Sequence, residues 1–434
     1  MNRFVLSFEL IDSPLLAVCA ILTGLGVVAI VLWAPRRLVA TGAIGLGAAV
    51  AMYIAAHVLE SMGVFEGPLP VGAASRAAVA VGAAAVGVVG ICRRPWARRI
   101  IGIVTVIASL LAGALGVNAA YGVTHNIAAI LGVQALDPAS LPPRDDAAGD
   151  PATLYERWQP PADMPTMSSV SALTGSTKIP TGQFAARDAS LYLPPAARVA
   201  NPPALPLLVF MMGQPGSPDP SALAKALDAF AAQHGGLAPI AVVVDQLSAP
   251  EKDPACADSA TYGAVETYIN KMVPQWAASN LNIVQDHRYW TIGGFSNGGA
   301  CAAYYGAKYP DIWGQVLDVS GNEFPGSEHP SQTTTDVYKG DANAFQASKP
   351  SVIMAAAPAG TYTGHTAVFT WGGADTTFGP GQQANSEAAR AAGFTVLTYV
   401  VDGAGHTGEA LDKGLAWAIP ALAPALGLAA PPAS

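Results

Sequence analysis

Charge is scarce in this chain: only 12% of its 434 residues are Asp, Glu, Lys or Arg, while 51% are hydrophobic. Soluble globular domains carry about 25% charged residues, so part of this sequence is expected to face a solvent other than water. Basic clusters are missing beyond the first 120 residues. Those 120 hold eight Arg against three Glu and one Asp, a net of +4, and the chain total of −8 leaves −12 for the remainder. An acidic remainder argues against a nucleic-acid partner, because phosphate binding needs clustered Lys and Arg. Cysteine is reduced to four residues with no Cys-x-x-Cys pair, which argues against zinc, and no metal is expected. No strand is followed by Gly-x-Gly-x-x-Gly or a Walker loop, so a nucleotide-binding fold is disfavoured and no cofactor is expected. Repeats of solenoid period are not visible.

What is present begins with apolar length. Four stretches, near Pro14 to Ala34, Leu38 to Leu59, Ala73 to Cys92 and Ile100 to Ala120, suit membrane-spanning helices, since about 20 residues cover the roughly 30 Å of hydrocarbon in a bilayer. The first is not a cleavable signal: Glu9 and Asp12 precede it beside a single Arg3, no small-residue cleavage site closes it, and three similar stretches follow. Arg36 and Arg37 separate the first two stretches, Arg93, Arg94, Arg98 and Arg99 the last two, and Glu60 and Glu66 lie between the middle pair. The positive-inside rule therefore puts both Arg loops in the cytoplasm, and the N-terminus and everything after Ala120 outside. Arg76 dissents mildly, at an outer helix end where a long side chain can snorkel. The plain reading is an anchor. A transporter would show buried ionisable residues, for which only His57 and Glu60 near a helix end are candidates.

The expected organisation is a four-helix transmembrane module over residues 1–131, a linker or loosely packed stalk rich in Pro, Asp and Ala over 132–165, and an extracytoplasmic catalytic domain over 166–434. In that last region β-rich runs (Ala189 to Leu193, Leu205 to Met212, Ile240 to Asp245, Tyr289 to Gly293, Val316 to Val319, Ala367 to Trp371, Thr395 to Val401) alternate with helical ones. The helices are expected over Pro220 to Gln233, Thr261 to Ala278, Asn297 to Tyr309, Gly381 to Ala392 and Gly408 to Leu422. Continuously apolar strands such as PLLVFMM and IAVVV suit a mostly parallel, doubly wound α/β sheet covered on both faces.

Chemistry concentrates at TIGGFSNGGA, where Gly294-Phe295-Ser296-Asn297-Gly298 sits directly between a strand and a helix. In a chain with 45 Gly the pentapeptide alone means little, but this context is that of a nucleophile elbow, with small residues letting a serine project above a sheet edge. A serine hydroxyl needs a base, and in elbow-bearing folds acid and then histidine follow the nucleophile. Of seven His, His57, His125, His234 and His287 precede Ser296, and His329 and His365 precede the best acid; only His406, in VDGAGHTG, follows it. That acid is Asp375 in WGGADTT, just past a strand; Asp402 is its rival, four residues from His406. Oxyanion donors are expected from the Asn297 N–H and, after the strand ending at Met212, from the Gln214 N–H, since Pro215 has none to give. Cys19 and Cys92 fall within membrane spans, where lone thiols are usually inert, leaving Cys256 and Cys301 as a disulfide pair in an oxidising space.

GQFAARDASLYLPPA, LPLLVFMMGQPGSP, the Cys-Ala-Asp-Ser segment, GGFSNGG with Cys301, and YKGDANAF resemble the actinobacterial esterase family related to esterase D and the mycolyltransferases, over about residues 175 to 410. The resemblance implies an α/β-hydrolase fold, an oxidising envelope location and a triad mapping onto Ser296, Asp375 and His406. The G-x-S-N-G-G run also resembles feruloyl esterases and polyhydroxyalkanoate depolymerases. Asn297-Gly298-Gly299 departs from the Met-Ala type of run in mycolyltransferases, which weighs against mycolyl transfer.

The sequence thus favours a membrane-anchored serine esterase acting on an acyl ester, with a lipid or glycolipid of the envelope as the expected partner. Acyl transfer passes through the same acyl-enzyme and stays open, as do an inactive binding module and a transporter with an appended domain. The segment Gly321 to Pro350 is expected to cap the site or to be a surface insertion.

Overall fold

The computed structural model describes residues 3–431 apart from 12, 34, 63, 65–68, 94, 134 and 143–149. Asp12, Glu66, Arg94 and part of the expected linker lie outside the described residues. The chain forms two compact units, one over residues 1–127 and 405–408 and a larger one over 128–404 and 409–434.

The first unit contains four long helices, Pro14–Leu32, Leu38–Ser61, Ala73–Ile91 and Trp96–Tyr121, each long and apolar enough to cross a membrane. Most of their large aliphatic side chains are exposed, and close backbone approaches occur at glycines, beside buried Ile30 and Val86. A Cβ on Gly82 would stand 2.7 Å from the Gly45 carbonyl oxygen, and one on Gly102 would stand 2.6 Å from that of Gly87. Such backbone approach is how helices associate in lipid, where apolar side chains gain nothing by leaving the solvent. Arg76 does not simply snorkel: Nη1 donates to the Gly116 carbonyl of the fourth helix at 2.6 Å. His57 and Glu60 pair with each other at 2.8 Å, and Glu60 also accepts the Leu69 N–H at 2.8 Å, so both serve a helix end and its loop.

The larger unit is built on one eight-stranded sheet in the order β1-β2-β4-β3-β5-β6-β7-β8. Its strands are β1 (Ser169–Leu173), β2 (Ala189–Leu193), β3 (Leu207–Met211), β4 (Ile240–Val244), β5 (Trp290–Phe295), β6 (Gln315–Val319), β7 (Thr366–Gly372) and β8 (Thr395–Val401). β2 is antiparallel to β1 and β4, and every pairing from β4 to β8 is parallel. The carboxyl ends of β3 through β8 therefore share one edge, where ligands of open α/β sheets bind. β3, β4 and β5 are buried at every position because helices cover both faces, which is why they read as unbroken apolar runs.

Three elements differ from the sequence expectation. β1 was not foreseen: Ser169 and Ser171 interrupt its apolar pattern, yet its five residues pair in register with β2. The helix expected from Thr261 runs Val265–Asn280 through a wide turn at Tyr268–Met272, just before Pro274, which has no N–H to give a regular helical bond. The stretch 132–165 is fastened where described: the Ala139 N–H donates to the Ala172 carbonyl at 2.8 Å, the Ala172 N–H donates to the Asp137 carbonyl at 2.7 Å, and the Trp158 indole donates to the Gly235 carbonyl at 2.7 Å. Its composition is poor in core formers, but two such fastenings suffice to hold an extended segment on a sheet edge. Gly321 to Pro350 holds short helices at Pro330–Asp336 and Ala342–Ala347, with a third starting at Pro350, and packs Val337 against Ala255 and Ala257.

Candidate active site

β5 ends in the elbow. Ser296 has φ 55° and ψ −121°, a conformation that costs a non-glycine residue on the order of 1 to 3 kcal/mol and persists only where the surroundings enforce it. They do so here through backbone contact. A Cβ on Gly294 would fall 2.1 Å from the carbonyl carbon of Gly298, and one on Gly298 would fall 2.2 Å from the Met211 carbonyl oxygen, so neither position admits a side chain. The Ser296 N–H donates to Val319 of β6 at 2.9 Å, and its carbonyl accepts from Ala300 at 3.0 Å, opening the helix Asn297–Lys308.

The loop after β3 lies against this turn: a Cβ on Gly213 would stand 3.1 Å from Ser296 Cβ. Gly213, the neighbour of the expected oxyanion donor Gln214, thus stands against Ser296, and the other expected donor, Asn297, follows Ser296 in the chain. The β3 loop is held from behind by Arg187, whose Nη1 donates to the Gly216 carbonyl at 2.9 Å while Nη2 and Nε grip Asp245 at 2.7 and 3.0 Å. Asp245, past the end of β4, is fully buried and also accepts the Leu247 and Ser248 N–H groups.

Asp375 follows β7 and is buried, with Oδ1 accepting the Thr377 and Phe378 N–H groups at 3.1 and 2.9 Å ahead of the helix Gly379–Ala392. His406 lies between β8 and the helix Gly408–Leu422. Topology sends the loops bearing Ser296, Asp375 and His406 from one sheet edge. Asp402, the rival acid, is exposed. Beneath the nucleophile helix, Asp318 of β6 accepts the Gly321 N–H at 2.9 Å and the Gln382 amide at 2.8 Å, and complete burial pushes its carboxyl up to about 7. Cys256 and Cys301 form a disulfide with Cα atoms 5.5 Å apart. Among the described residues no three His, Cys, Asp or Glu gather as metal ligands.

Sequence reasoning missed two polar residues in the loop after β4. Gln246 Nε2 donates both to the Met212 carbonyl at 2.6 Å and to Asn297 Oδ1 at 3.1 Å, and Asn297 Nδ2 donates to Asp253 Oδ1 at 3.1 Å. The only signal was Asp-Gln directly after an apolar strand, a position that in such sheets faces the ligand edge.

Residues 185–409 match the model of a family described as "Putative esterase". An uncharacterized protein of Corynebacterium glutamicum is 38% identical over 210 residues, 47% of this chain and 49% of that protein. The chain thus spans about half the length of the curated relative it matches. Similar solved structures include a ferulic acid esterase, 17% identical with TM-score 0.46, covering 59% of this chain and 98% of its own. Another is an S-formylglutathione hydrolase of Agrobacterium tumefaciens, 14% identical with TM-score 0.46, covering 60% and 95% respectively. The family match takes in more than half of the chain, from Arg187 through the elbow to the loop after β8, so this protein, built on a mostly parallel α/β-hydrolase sheet, belongs to that esterase family.

Proposed function

We propose that the protein is a membrane-anchored serine esterase that hydrolyses carboxylic esters of envelope lipid or glycolipid at an extracytoplasmic site made by Ser296, Asp375 and His406. The observation that carries this reading is the enforced backbone of Ser296, φ 55° between two glycines that admit no side chain. Such strain at a Ser between a strand and a helix has no packing purpose and lifts the hydroxyl above the sheet.

In the proposed cycle His406 accepts the Ser296 proton as Oγ attacks the acyl carbon, and Asp375 orients the imidazole and offsets its positive charge. The tetrahedral oxyanion is met by the Asn297 and Gln214 N–H groups, donors of the kind that act most strongly when fixed before the reaction. The imidazolium returns the proton to the departing alcohol, leaving an acyl-serine. Water then adds to that ester, giving one proton to His406; collapse releases the acid and restores the serine hydroxyl.

Four candidate membrane helices support anchoring, which raises the effective concentration of a lipid ester near the site. The Arg-bearing loops and the Cys256–Cys301 disulfide together support an oxidising, extracytoplasmic location for the catalytic unit.

The test uses the full chain in detergent. A fluorophosphonate is expected to give one adduct, on Ser296 by peptide mass spectrometry, and Ser296→Ala is expected to abolish p-nitrophenyl ester turnover. Equal rates for wild type and Ser296→Ala would overturn the mechanism. Lipid profiles of cells with active and inactive enzyme then test the substrate class.

A further inference from the structure

The nucleophile helix presents Asn297, Cys301 and Tyr305 at intervals of four, on one face. All three are fastened to one short piece of the loop after β4. Asn297 Nδ2 donates to Asp253 Oδ1 at 3.1 Å, Cys301 is disulfide-bonded to Cys256, and the Tyr305 hydroxyl donates to the Cys256 carbonyl at 2.8 Å. The loop is costly to hold, since Ser248, Ala255 and Cys256 have φ of 66°, 47° and 55° without being glycine. A plain connection between β4 and the next helix requires none of this.

What the loop delivers lies at its two polar residues. Gln246, 2% exposed, joins the Met212 carbonyl, two residues before Gln214, to the side chain of Asn297. Asp253, itself oriented by the Ala255 N–H at 2.8 Å, takes the other end of the same amide. Burial raises the Asp253 carboxyl above its ordinary range while those two hydrogen bonds pull it back. Asn297 is 2% exposed and its amide is engaged at both ends, so its backbone cannot turn about the elbow without breaking buried hydrogen bonds.

We infer that Gln246 and Asp253 are positioning residues for the oxyanion hole: they lock the Asn297 amide and register the Gln214 loop against the elbow, while the disulfide holds Asp253 in place. The inference rests on the proposed role of Ser296 and of the two N–H donors. Neither residue touches the reacting atoms. Both act on the distance between two donors that must meet one oxygen, and misplacement of such donors is felt in the transition state rather than in ground-state binding.

The experiment compares wild type, Asp253→Ala, Asp253→Asn, Gln246→Leu and Ser296→Ala as full chains in detergent on a p-nitrophenyl ester, with active sites counted by fluorophosphonate. Asp253→Ala and Gln246→Leu are expected to lower kcat per labelled site about 10- to 100-fold with KM within about twofold, and to slow labelling in parallel, one lost oxyanion donor being worth about 100- to 1,000-fold. Asp253→Asn keeps an acceptor oxygen for Asn297 and is expected to recover kcat to within about threefold. Unchanged kcat per labelled site in both Asp253→Ala and Gln246→Leu, with Ser296→Ala inactive, overturns the inference alone, as does a loss confined to thermal stability or to KM. Residual wild-type activity in Ser296→Ala would instead overturn the reading on which it rests. Should Asp253→Ala fail to fold, Gln246→Leu and Asp253→Asn still decide the matter, since only a positioning role separates their kcat.

Discussion

In the helical unit most large aliphatic side chains face outward, with Val39, Leu46 and Val79 exposed by 84%, 68% and 69%, while Gly and Ala make most of the inner face. The sheet unit reverses this: Leu191, Leu207, Val209, Ile240 and Ile292 are fully buried. The same residue types are thus arranged in the two opposite ways that lipid and water favour. Water drives a sheet unit together by expelling apolar surface, whereas helices that cross a bilayer gain only by fitting closely.

If the two units are assembled by different forces, damage to one should spare the other. Ser296→Ala should cost about 10⁴-fold or more in soluble-ester kcat/KM. Gly82→Leu drives a side chain into Gly45 and Ala49, so it should loosen the bundle while leaving that rate within about twofold of wild type. A large loss with Gly82→Leu would break the comparison.

The next effect is confined to the sheet unit and depends on pH. Asp318 titrates near 7 when folded against an ordinary 3.8, so the folded state binds its proton more tightly. Its stabilising contribution is complete below the unfolded value and is lost as pH rises through about 7, by up to about 4 kcal/mol. Chemical unfolding followed between pH 4 and 8 should show this decline in wild type and a flatter profile in Asp318→Asn. Equal slopes would remove Asp318 as the source.

Removing the Cys256–Cys301 bridge opens a separation of 45 residues and should cost about 2 to 4 kcal/mol, read by thermal unfolding. Cys92→Ala, a free thiol, should change little. Smallest of all, the surface pair Lys225–Asp412, 2.7 Å long with the Lys side chain 74% exposed, should yield under about 1 kcal/mol when Lys225 becomes Met, an effect further reduced by salt.

Much of this was legible because it is periodic or local. Four runs of spanning length, alternating strands and helices, and an elbow bounded by glycines each declare themselves within about 20 residues. The Cys256–Cys301 pair was legible by elimination. β1 escaped because two serines sit where apolar residues mark a strand, although the sheet supplies its partner. Gln246 and Asp253 escaped for a different reason: they lie 51 and 44 residues from Asn297 in sequence, and nothing in either residue announces an amide to be gripped. Arg187 likewise reaches Asp245 across 58 residues, and its importance is visible only once the sheet is closed.

β5 runs through the middle of the sheet between β3 and β6 and is buried throughout, whereas β8 is the last strand and most of its residues are exposed or half-exposed. Amide hydrogens should therefore exchange slowly along β5, which leads to Ser296, and faster along β8, which leads to His406. In the proposed cycle, fraying at the sheet margin would let His406 shift between steps while Ser296 stays still.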